Sequence, residues 1–303
     1  MNNDPCIRSN SSSLTYSPGV ESHQSYGKMY ENCLSHWPVK VESSYVSTSF
    51  GQTHVITCGP EEAEPLLLLH GAMYSSTMWY PNIESFSQKY RTYAIDIIDD
   101  KNKSMLQKPL ESREEYAYWL SEVMDGLGLG VAYMAGLSYG GQLIVNFAMH
   151  DPARILKCVV MSPAESFVSF RAEFYAHAFG LVSDPNGVEN FNKWVFADRY
   201  QLPPYFVDQF QAGVLREDSL SAGKDRKRVW PYVWADEELK SITTDMLLLF
   251  GEHEVMYNPL EAMGRAVRLL PHVKAEIVKN AGHILSMEQA DLVNEKILQF
   301  LSE

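Results

Sequence analysis

The sequence has no long run of apolar residues. Its longest purely apolar stretches have four or five residues, as in Leu66–Leu69 and Met246–Phe250, whereas a membrane-spanning helix needs about 20. We therefore expect no membrane-spanning segment. The first residues, MNNDPCIRSNSSSLTYSPG, lack the basic start and the apolar core of a secretory signal, so a cytoplasmic location is expected.

Cysteine and positive charge are both scarce. The four cysteines lie far apart, without a CxxC pair, and are interpreted as reduced thiols: Cys6, Cys33, Cys58 and Cys158. Lysine and arginine number 25 against 38 acidic residues, which gives a formal net charge of −13. This balance argues against binding to nucleic acid or to an anionic membrane, because both need concentrated positive charge. The basic cluster KDRKR at 224–228 is interpreted as a solvated loop.

The pattern along the chain predicts one α/β domain that follows an N-terminal arm, residues 1–35. The Ser- and Asn-rich part of the arm, to about residue 22, is expected to be disordered or loosely draped over the surface. Two β-branched runs joined by a short turn, SSYVSTSF and THVITCG, predict a β-hairpin. Beyond it, short apolar runs alternate with helical patterns, which predicts a mainly parallel sheet with helices on both faces.

One segment interrupts this alternation. Between Phe167 and Trp234 there are 15 aromatic residues in 68, about 22% against 12% for the whole chain, which is too aromatic for a disordered linker and too long for an ordinary connection. We interpret residues 166–240 as a mostly helical cap. The core domain is then residues 36–165 and 241–303.

A candidate nucleophile lies in MAGLSYGGQ, where Gly136, Ser138 and Gly140 form a GxSxG motif between a predicted strand and a predicted helix. A serine on so sharp a turn crowds the positions two residues away, which favours glycine at both. The N-terminus of the helix also supplies free N–H groups that can stabilise an oxyanion. The motif alone is weak, but this placement makes Ser138 the best candidate nucleophile.

A serine hydroxyl needs a base that removes its proton. Among nine histidines, His283 in NAGHILSMEQ follows the last predicted strand and precedes the last helix. It therefore lies at the same carboxyl edge of the sheet as Ser138, and we predict it as the base.

The histidine in turn needs a carboxylate that orients its ring. Glu254 follows the strand MLLLFG and gives the chain order serine, acid, histidine that is typical of α/β-hydrolases. Glu252 and Glu165 remain alternatives. A metal site made of Glu252, His253 and Glu254 is disfavoured, because adjacent side chains on an extended segment point to opposite sides; we expect neither a metal nor a cofactor.

The string LLLLHGAM predicts the second half of an oxyanion hole. The backbone N–H of Ala72 is the expected donor, together with that of Tyr139, the residue after the nucleophile. Met73 is the alternative donor in this loop. His70 is interpreted as a structural histidine that holds the loop by a hydrogen bond.

The sequence resembles the α/β-hydrolase superfamily, and within it carboxylesterases of the naproxen-esterase type, often called carboxylesterase NP. The resemblance runs from about Tyr30 to the C-terminus and rests on these strings: FGQTHVI, LLHGAMYSSTMWYPNI, YRTYAIDII, DKNKS, GLSYGG, SPAESF, GEHEV and NAGHILSMEQ. It implies Ser138 as nucleophile, Glu254 as acid and His283 as base. Two residues depart from the usual pattern: Tyr139 stands where a smaller aliphatic residue is usual, and Asp99 replaces a glycine.

The implied activity is the hydrolysis of small carboxylic esters through an acyl-enzyme, with apolar or aryl acyl groups among the expected substrates. A homo-oligomer is compatible with the sequence. Two alternatives use the same fold: a carbon–carbon bond hydrolase or perhydrolase with the same triad, and a ligand receptor without catalysis.

Overall fold

A mixed β-sheet organises the molecule, which is described here from a computed structural model of residues 18–216, 229 and 232–303. Within these residues the sheet has nine strands in the order β1-β2-β4-β3-β6-β7-β8-β9, and β5 pairs with β2. The strands are β1 Glu42–Thr48, β2 Gly51–Cys58, β3 Pro65–Leu69, β4 Arg91–Ile95, β5 Met105–Leu106, β6 Ala132–Leu137, β7 Ile155–Met161, β8 Met246–Gly251 and β9 Val273–Val278.

The central strands are parallel to their neighbours and buried. From β4 through β3, β6, β7 and β8 to β9 all neighbours are parallel, and β6 and β8 are almost entirely buried, as expected for strands covered on both faces. The predicted hairpin is confirmed, because β1 and β2 pair antiparallel. The predicted mainly parallel sheet is confirmed as well, and the carboxyl ends of β3, β6, β8 and β9 meet at one edge.

Helices cover the sheet and fill the connections. They are α1 Pro18–Ser35, α2 Ile83–Ser87, α3 Arg113–Gly126, α4 Tyr139–His150, α5 Ala172–Ser183, α6 Gly187–Phe196, α7 Pro204–Leu215, α8 Asp236–Lys240, α9 Pro259–Leu269, α10 Leu285–Glu288 and α11 Ala290–Ser302. Helix α4 packs on β3, β6 and β7. Ser112 caps α3 by accepting a hydrogen bond from the Glu115 amide at 3.2 Å, which satisfies one free N–H of the first turn.

The N-terminal arm contains an ordered helix. Helix α1 packs along α7, and the Tyr26 hydroxyl donates to the Lys101 carbonyl at 2.7 Å. The expectation of a loose chain to about residue 22 is therefore wrong for residues 18–22, because the helix begins at Pro18. Residues 1–17 lie outside the described part.

Helices α5 to α8 occupy the connection between β7 and β8, where the sequence predicts the cap. Their aromatic rings pack back onto the core: Tyr74 stacks on Phe206 and Phe210, with ring centroids 5.7 and 4.8 Å apart. The boundaries 166 and 240 stay predictions. The basic cluster at 224–228 lies outside the described residues.

Three of the four cysteines are described, and Cys33, Cys58 and Cys158 are all buried, free thiols, as predicted. Burial raises the pKa of each thiol, which keeps it protonated and unreactive. In the described ranges no helix is both long and apolar enough to cross a bilayer.

Candidate active site

Ser138 forms a sharp turn between β6 and α4. Its backbone has φ 52° and ψ −112°, a conformation that L-residues with a side chain rarely adopt. The turn is held from both sides, because the Ser138 amide donates to the Met161 carbonyl at 2.8 Å and the Ser138 carbonyl accepts from the Ala164 amide at 3.1 Å. Strain of this kind is typical of a functional residue.

The two flanking glycines are required by close contacts. A Cβ atom on Gly136 would lie 2.7 Å from the Gly140 carbonyl. A Cβ on Gly140 would lie only 2.2 Å from the Leu69 carbonyl oxygen of β3. Both approaches are much shorter than van der Waals contact, so the backbone around Ser138 accommodates no side chain at either position. The physical reason given for the GxSxG motif therefore applies in this chain.

His283 and Glu254 are joined by a buried hydrogen bond. The His283 Nδ1 lies 2.8 Å from the Glu254 Oε2, and the two side chains are 1% and 0% exposed. The other carboxylate oxygen, Oε1, accepts from the Met256 amide at 2.9 Å. Since the carboxylate faces Nδ1, that nitrogen carries the proton and Nε2 keeps its lone pair. Among the described residues Nε2 has no hydrogen-bond partner, and it is the atom that a base must keep free.

The two alternative carboxylates have other partners. Glu252 accepts from the Lys279 ammonium at 2.7 Å and from the Asn280 amide at 3.1 Å. Glu165 accepts from the Phe170 amide at 2.8 Å and from a tyrosine hydroxyl at 2.9 Å. Of the three glutamates weighed from the sequence, Glu254 is the one that the structure places on His283.

The metal interpretation of the GEHEV segment has no structural support. His253 is half-exposed, and its Nε2 lies 3.8 Å from Glu252, while Glu254 turns into the protein toward His283. Glu252 and His253 lie in a turn after β8 rather than on the extended segment assumed from the sequence, and their side chains are near each other, whereas Glu254 points away from both. In the described part of the chain no group of three or more potential ligands is arranged to hold a metal ion.

Two backbone amides near Ser138 are candidates for an oxyanion hole. Within the described residues, the backbone N–H groups of Ala72 and Tyr139 donate no hydrogen bond. The amide of Met73, the alternative donor, is already used, because it donates to both carboxylate oxygens of Asp100 at 3.1 and 2.9 Å. The loop therefore leaves Ala72 rather than Met73 free to bind an anion.

His70 is a structural residue, as the sequence predicts. Its Nδ1 lies 2.9 Å from the Gly71 carbonyl and donates to it, and its Nε2 accepts from the Ile97 amide at 2.9 Å. Burial lowers the pKa of His70, which keeps the ring neutral. The His70 carbonyl also accepts from the Gly140 amide at 3.0 Å, so this residue ties the β3 loop to the start of α4.

Two features near the site were not predicted from the sequence. The Tyr139 hydroxyl donates to Asp99, 3.0 Å from Oδ1 and 3.2 Å from Oδ2, and the Tyr116 hydroxyl donates to the same carboxylate at 2.5 Å. Burial, and then the charge of Asp99, raise the pKa of Tyr139 well above its ordinary value, so the phenol remains a donor. The two departures from the family pattern, Tyr139 and Asp99, are thus in contact with each other, a pairing that only the fold reveals.

The second feature joins the helical insertion to the His283 loop. Arg199, in the loop after α6, donates through Nε to Glu288 at 2.7 Å, and the Glu288 side chain is fully buried. Gly282 lies directly beneath this pair, since a Cβ there would be 2.5 Å from the Arg199 Nη2. Burial raises the pKa of Glu288 although Arg199 lowers it. No sequence signal links Arg199 to a residue 89 positions away.

Comparison with known proteins agrees with the fold described above. A family model described as alpha/beta hydrolase fold matches residues 64–290. The Bacillus subtilis protein called "Uncharacterized carboxylesterase nap" is 50% identical over 277 residues, which cover 91% of this chain and 92% of that one. Carboxylesterase YbfK of the same organism is 48% identical over 282 residues, 93% of this chain and 95% of that one. The crystal structure of naproxen esterase (carboxylesterase NP) from Bacillus subtilis matches with a TM-score of 0.88 and 49% identity, covering 92% of this chain and 98% of that one.

Proposed function

This chain belongs to the α/β-hydrolase fold family and is a carboxylic ester hydrolase, and we propose that Ser138, Glu254 and His283 carry out its reaction. The observation that supports these roles best is the buried hydrogen bond between His283 and Glu254, 2.8 Å long. It lies at the same edge of the sheet as the strained turn of Ser138. The substrate is a small-molecule ester.

The first step forms an acyl-enzyme. The His283 Nε2 removes the proton of Ser138, whose Oγ attacks the ester carbonyl carbon. Glu254 accepts the Nδ1–H bond and stabilises the imidazolium that results. The imidazolium then gives its proton to the departing alcohol as the ester C–O bond breaks.

The tetrahedral oxyanion is bound by the free amides of Ala72 and Tyr139. Tyr139 is also the first residue of α4, so the positive end of the helix dipole faces the same charge. Removing one donor of this kind costs about 100-fold to 1000-fold in kcat in other hydrolases. In the second step His283 removes a proton from water, the hydroxide attacks the acyl carbon, and Ser138 recovers its proton as the acid leaves.

We further propose that the acyl group is apolar or aryl. The ring of Tyr257 stands edge-on to the His283 ring at 6.4 Å, and Phe170 stacks on Tyr257 at 6.3 Å. Burial and the charge of Glu254 raise the pKa of Tyr257 well above its ordinary value, so this ring stays neutral beside the base. Apolar rings around a few polar groups are typical of small-molecule sites.

Covalent labelling tests the proposed nucleophile. A fluorophosphonate should add one phosphonyl group to the wild-type protein and none to Ser138→Ala, as measured by intact mass. Ser47→Ala, which changes an exposed serine of β1, is the matched control and should label fully. Unchanged labelling of Ser138→Ala would refute the assignment.

Substrate class is tested with a panel of p-nitrophenyl esters. Phenylacetate should give a higher kcat/KM than acetate if the acyl site is aryl-binding, and equal values would contradict that proposal. A β-diketone assay run in parallel tests the alternative of carbon–carbon bond hydrolysis.

A further inference from the structure

Two adjacent carboxylates lie in the loop after β4, and each binds a different side of the proposed active site. Asp100 contacts the loop that contains Ala72, and Asp99 contacts Tyr139. Neither carboxylate belongs to the proposed triad. Asp99 nevertheless binds Tyr139, and Asp100 binds Met73, the residue after Ala72; the amides of Ala72 and Tyr139 are the proposed donors of the oxyanion hole.

Asp100 holds the loop after β3 in a strained conformation. Its side chain is 8% exposed, and both of its oxygens accept from the Met73 amide, at 3.1 and 2.9 Å. Met73 has φ 67°, a left-handed value that is unfavourable for a residue with a long side chain. The hydrogen bonds to Asp100 compensate that strain. They fix the position of Ala72, the residue directly before Met73.

Asp100 is itself held in place. Its Oδ1 also accepts from the Lys101 amide at 2.8 Å. The His70 Nδ1 lies 4.0 Å from its Oδ2, but donates to the Gly71 carbonyl at 2.9 Å. His70 and Asp100 therefore bind the same loop on either side of Ala72, at Gly71 and at Met73.

Asp99 fixes Tyr139, the second proposed donor residue of the oxyanion hole. It accepts from the Tyr139 hydroxyl at 3.0 Å and from the Tyr116 hydroxyl of α3 at 2.5 Å. Tyr139 is thereby held at two ends: its backbone begins α4 next to Ser138, and its phenol is bound in a network that reaches α3. Rotation of the first turn of α4 would break the bond to Asp99.

We infer that Asp99 and Asp100 are positioning residues that fix the amides of Ala72 and Tyr139 relative to each other, so that both can bind the oxyanion. The inference rests on the proposed function, because it assumes that Ala72 and Tyr139 bind the oxyanion. One donor lies in the loop after β3 and the other in the first turn of α4, so the geometry of the hole depends on the contacts that link these two segments. Asp99 and Asp100 are consecutive, and together they form such a link.

The test compares Asp100→Asn and Tyr139→Phe with the wild type on p-nitrophenyl butyrate at pH 8, above the raised pKa of Asp100, so that the wild-type side chain is a carboxylate. Each variant should lower kcat at least about tenfold with KM unchanged within about twofold, because displaced amides weaken binding of the transition state more than that of the ester. Tyr118→Phe, an exposed tyrosine two residues beyond Tyr116 on α3, is the matched control and should keep wild-type kcat.

Benzeneboronic acid provides a readout that a purely structural role would not change. It adds to the serine Oγ as a tetrahedral anion, so its inhibition constant should rise in parallel with the loss of kcat. A double-variant cycle separates the contribution of the Asp99–Tyr139 contact from that of Asp100. Asp99→Asn and Tyr139→Phe break the same contact and should not add, whereas Asp100→Asn combined with Tyr139→Phe should multiply the losses.

The outcomes distinguish this inference from the proposed function. If the wild type neither hydrolyses esters nor labels at Ser138, the proposed function fails. If the wild type is active and Asp100→Asn and Tyr139→Phe keep kcat within about twofold, the inference fails and the proposed function stands. A rise in KM alone, with kcat and boronate affinity unchanged, would also overturn the inference, because it would place both side chains in substrate binding.

Discussion

Replacement of Asp100 by asparagine is expected to stabilise the protein, and increasingly so as the pH rises. Burial, helped by the charge of neighbouring Asp99, raises the pKa of Asp100 from 3.8 to about 7 although the Lys101 and Met73 amides lower it. The folded protein therefore keeps this proton over a range of pH in which the unfolded chain has lost it. Stability consequently falls as the pH rises from about 4 to about 7.

The size of the effect follows from the two pKa values. With 3.8 for the unfolded chain and about 7 for the folded protein, the raised pKa of Asp100 lowers the unfolding free energy by about 1.5 kcal/mol at pH 5, where the folded protein keeps the proton, and by about 4 kcal/mol at pH 8, where Asp100 is ionised. Asparagine resembles the protonated acid in shape and charge and does not titrate. The stability difference in favour of Asp100→Asn should therefore grow by about 2.5 kcal/mol between these two pH values.

Urea denaturation of both proteins at pH 5 and pH 8 measures this difference, and other titrating groups cancel in the comparison. Glu62→Gln, which removes an exposed carboxylate, is the control and should show a difference within about 0.5 kcal/mol at both pH values. An equal change in unfolding free energy between pH 5 and pH 8 for the wild type and Asp100→Asn would refute the reasoning, because Asp100 would then have the same pKa in the folded and unfolded states.

The remaining predictions concern the acid, the serine turn and the insertion. Glu254→Gln should lower kcat by about 1000-fold to 10,000-fold without unfolding the protein, whereas Glu252→Gln should keep kcat within about twofold; equal losses in ester hydrolysis would refute the choice of acid. Gly140→Ala should fail to fold or lose several kcal/mol, since its Cβ would lie 2.2 Å from a backbone carbonyl, and an unchanged melting temperature would contradict this. Arg199→Gln should lower the unfolding free energy by about 3 kcal/mol, because it leaves Glu288 buried without its partner; a loss near zero in urea denaturation would show that Glu288 is neutral or solvated.

The sequence predicts the sheet and the strand-end residues because those depend on local patterns. Apolar runs that alternate with helical periods predict parallel strands, and parallel strands bring their carboxyl ends to one edge. This reasoning predicts Ser138 and His283 at the same edge of the sheet without coordinates. It left Glu254, Glu252 and Glu165 as competing acids, since all three follow strands. Their side-chain directions decide among them, and those depend on tertiary packing around His283.

Contacts between distant segments are what the sequence could not predict. Tyr139 and Asp99 were both recognised as unusual, but their hydrogen bond requires α4 and the β4 loop to be adjacent in space. The hydrogen bond from the Met73 amide to Asp100 likewise requires the loops after β3 and β4 to be adjacent in space. It removes Met73 as an alternative donor to the oxyanion. Helix α1 was missed in part because its stability comes from packing on α7 rather than from its own propensity.

Asp100 combines a cost in stability with a proposed benefit in catalysis, and the two can be measured in one variant. A buried carboxylate that is ionised above pH 7 destabilises the fold, yet its two oxygens hold the Met73 amide that fixes the loop. Asp100→Asn should therefore be more stable and slower than the wild type at pH 8, as expected where a functional site is maintained against stability. A variant that is both less stable and slower would indicate that Asp100 only supports the fold, because lost packing lowers stability and activity together.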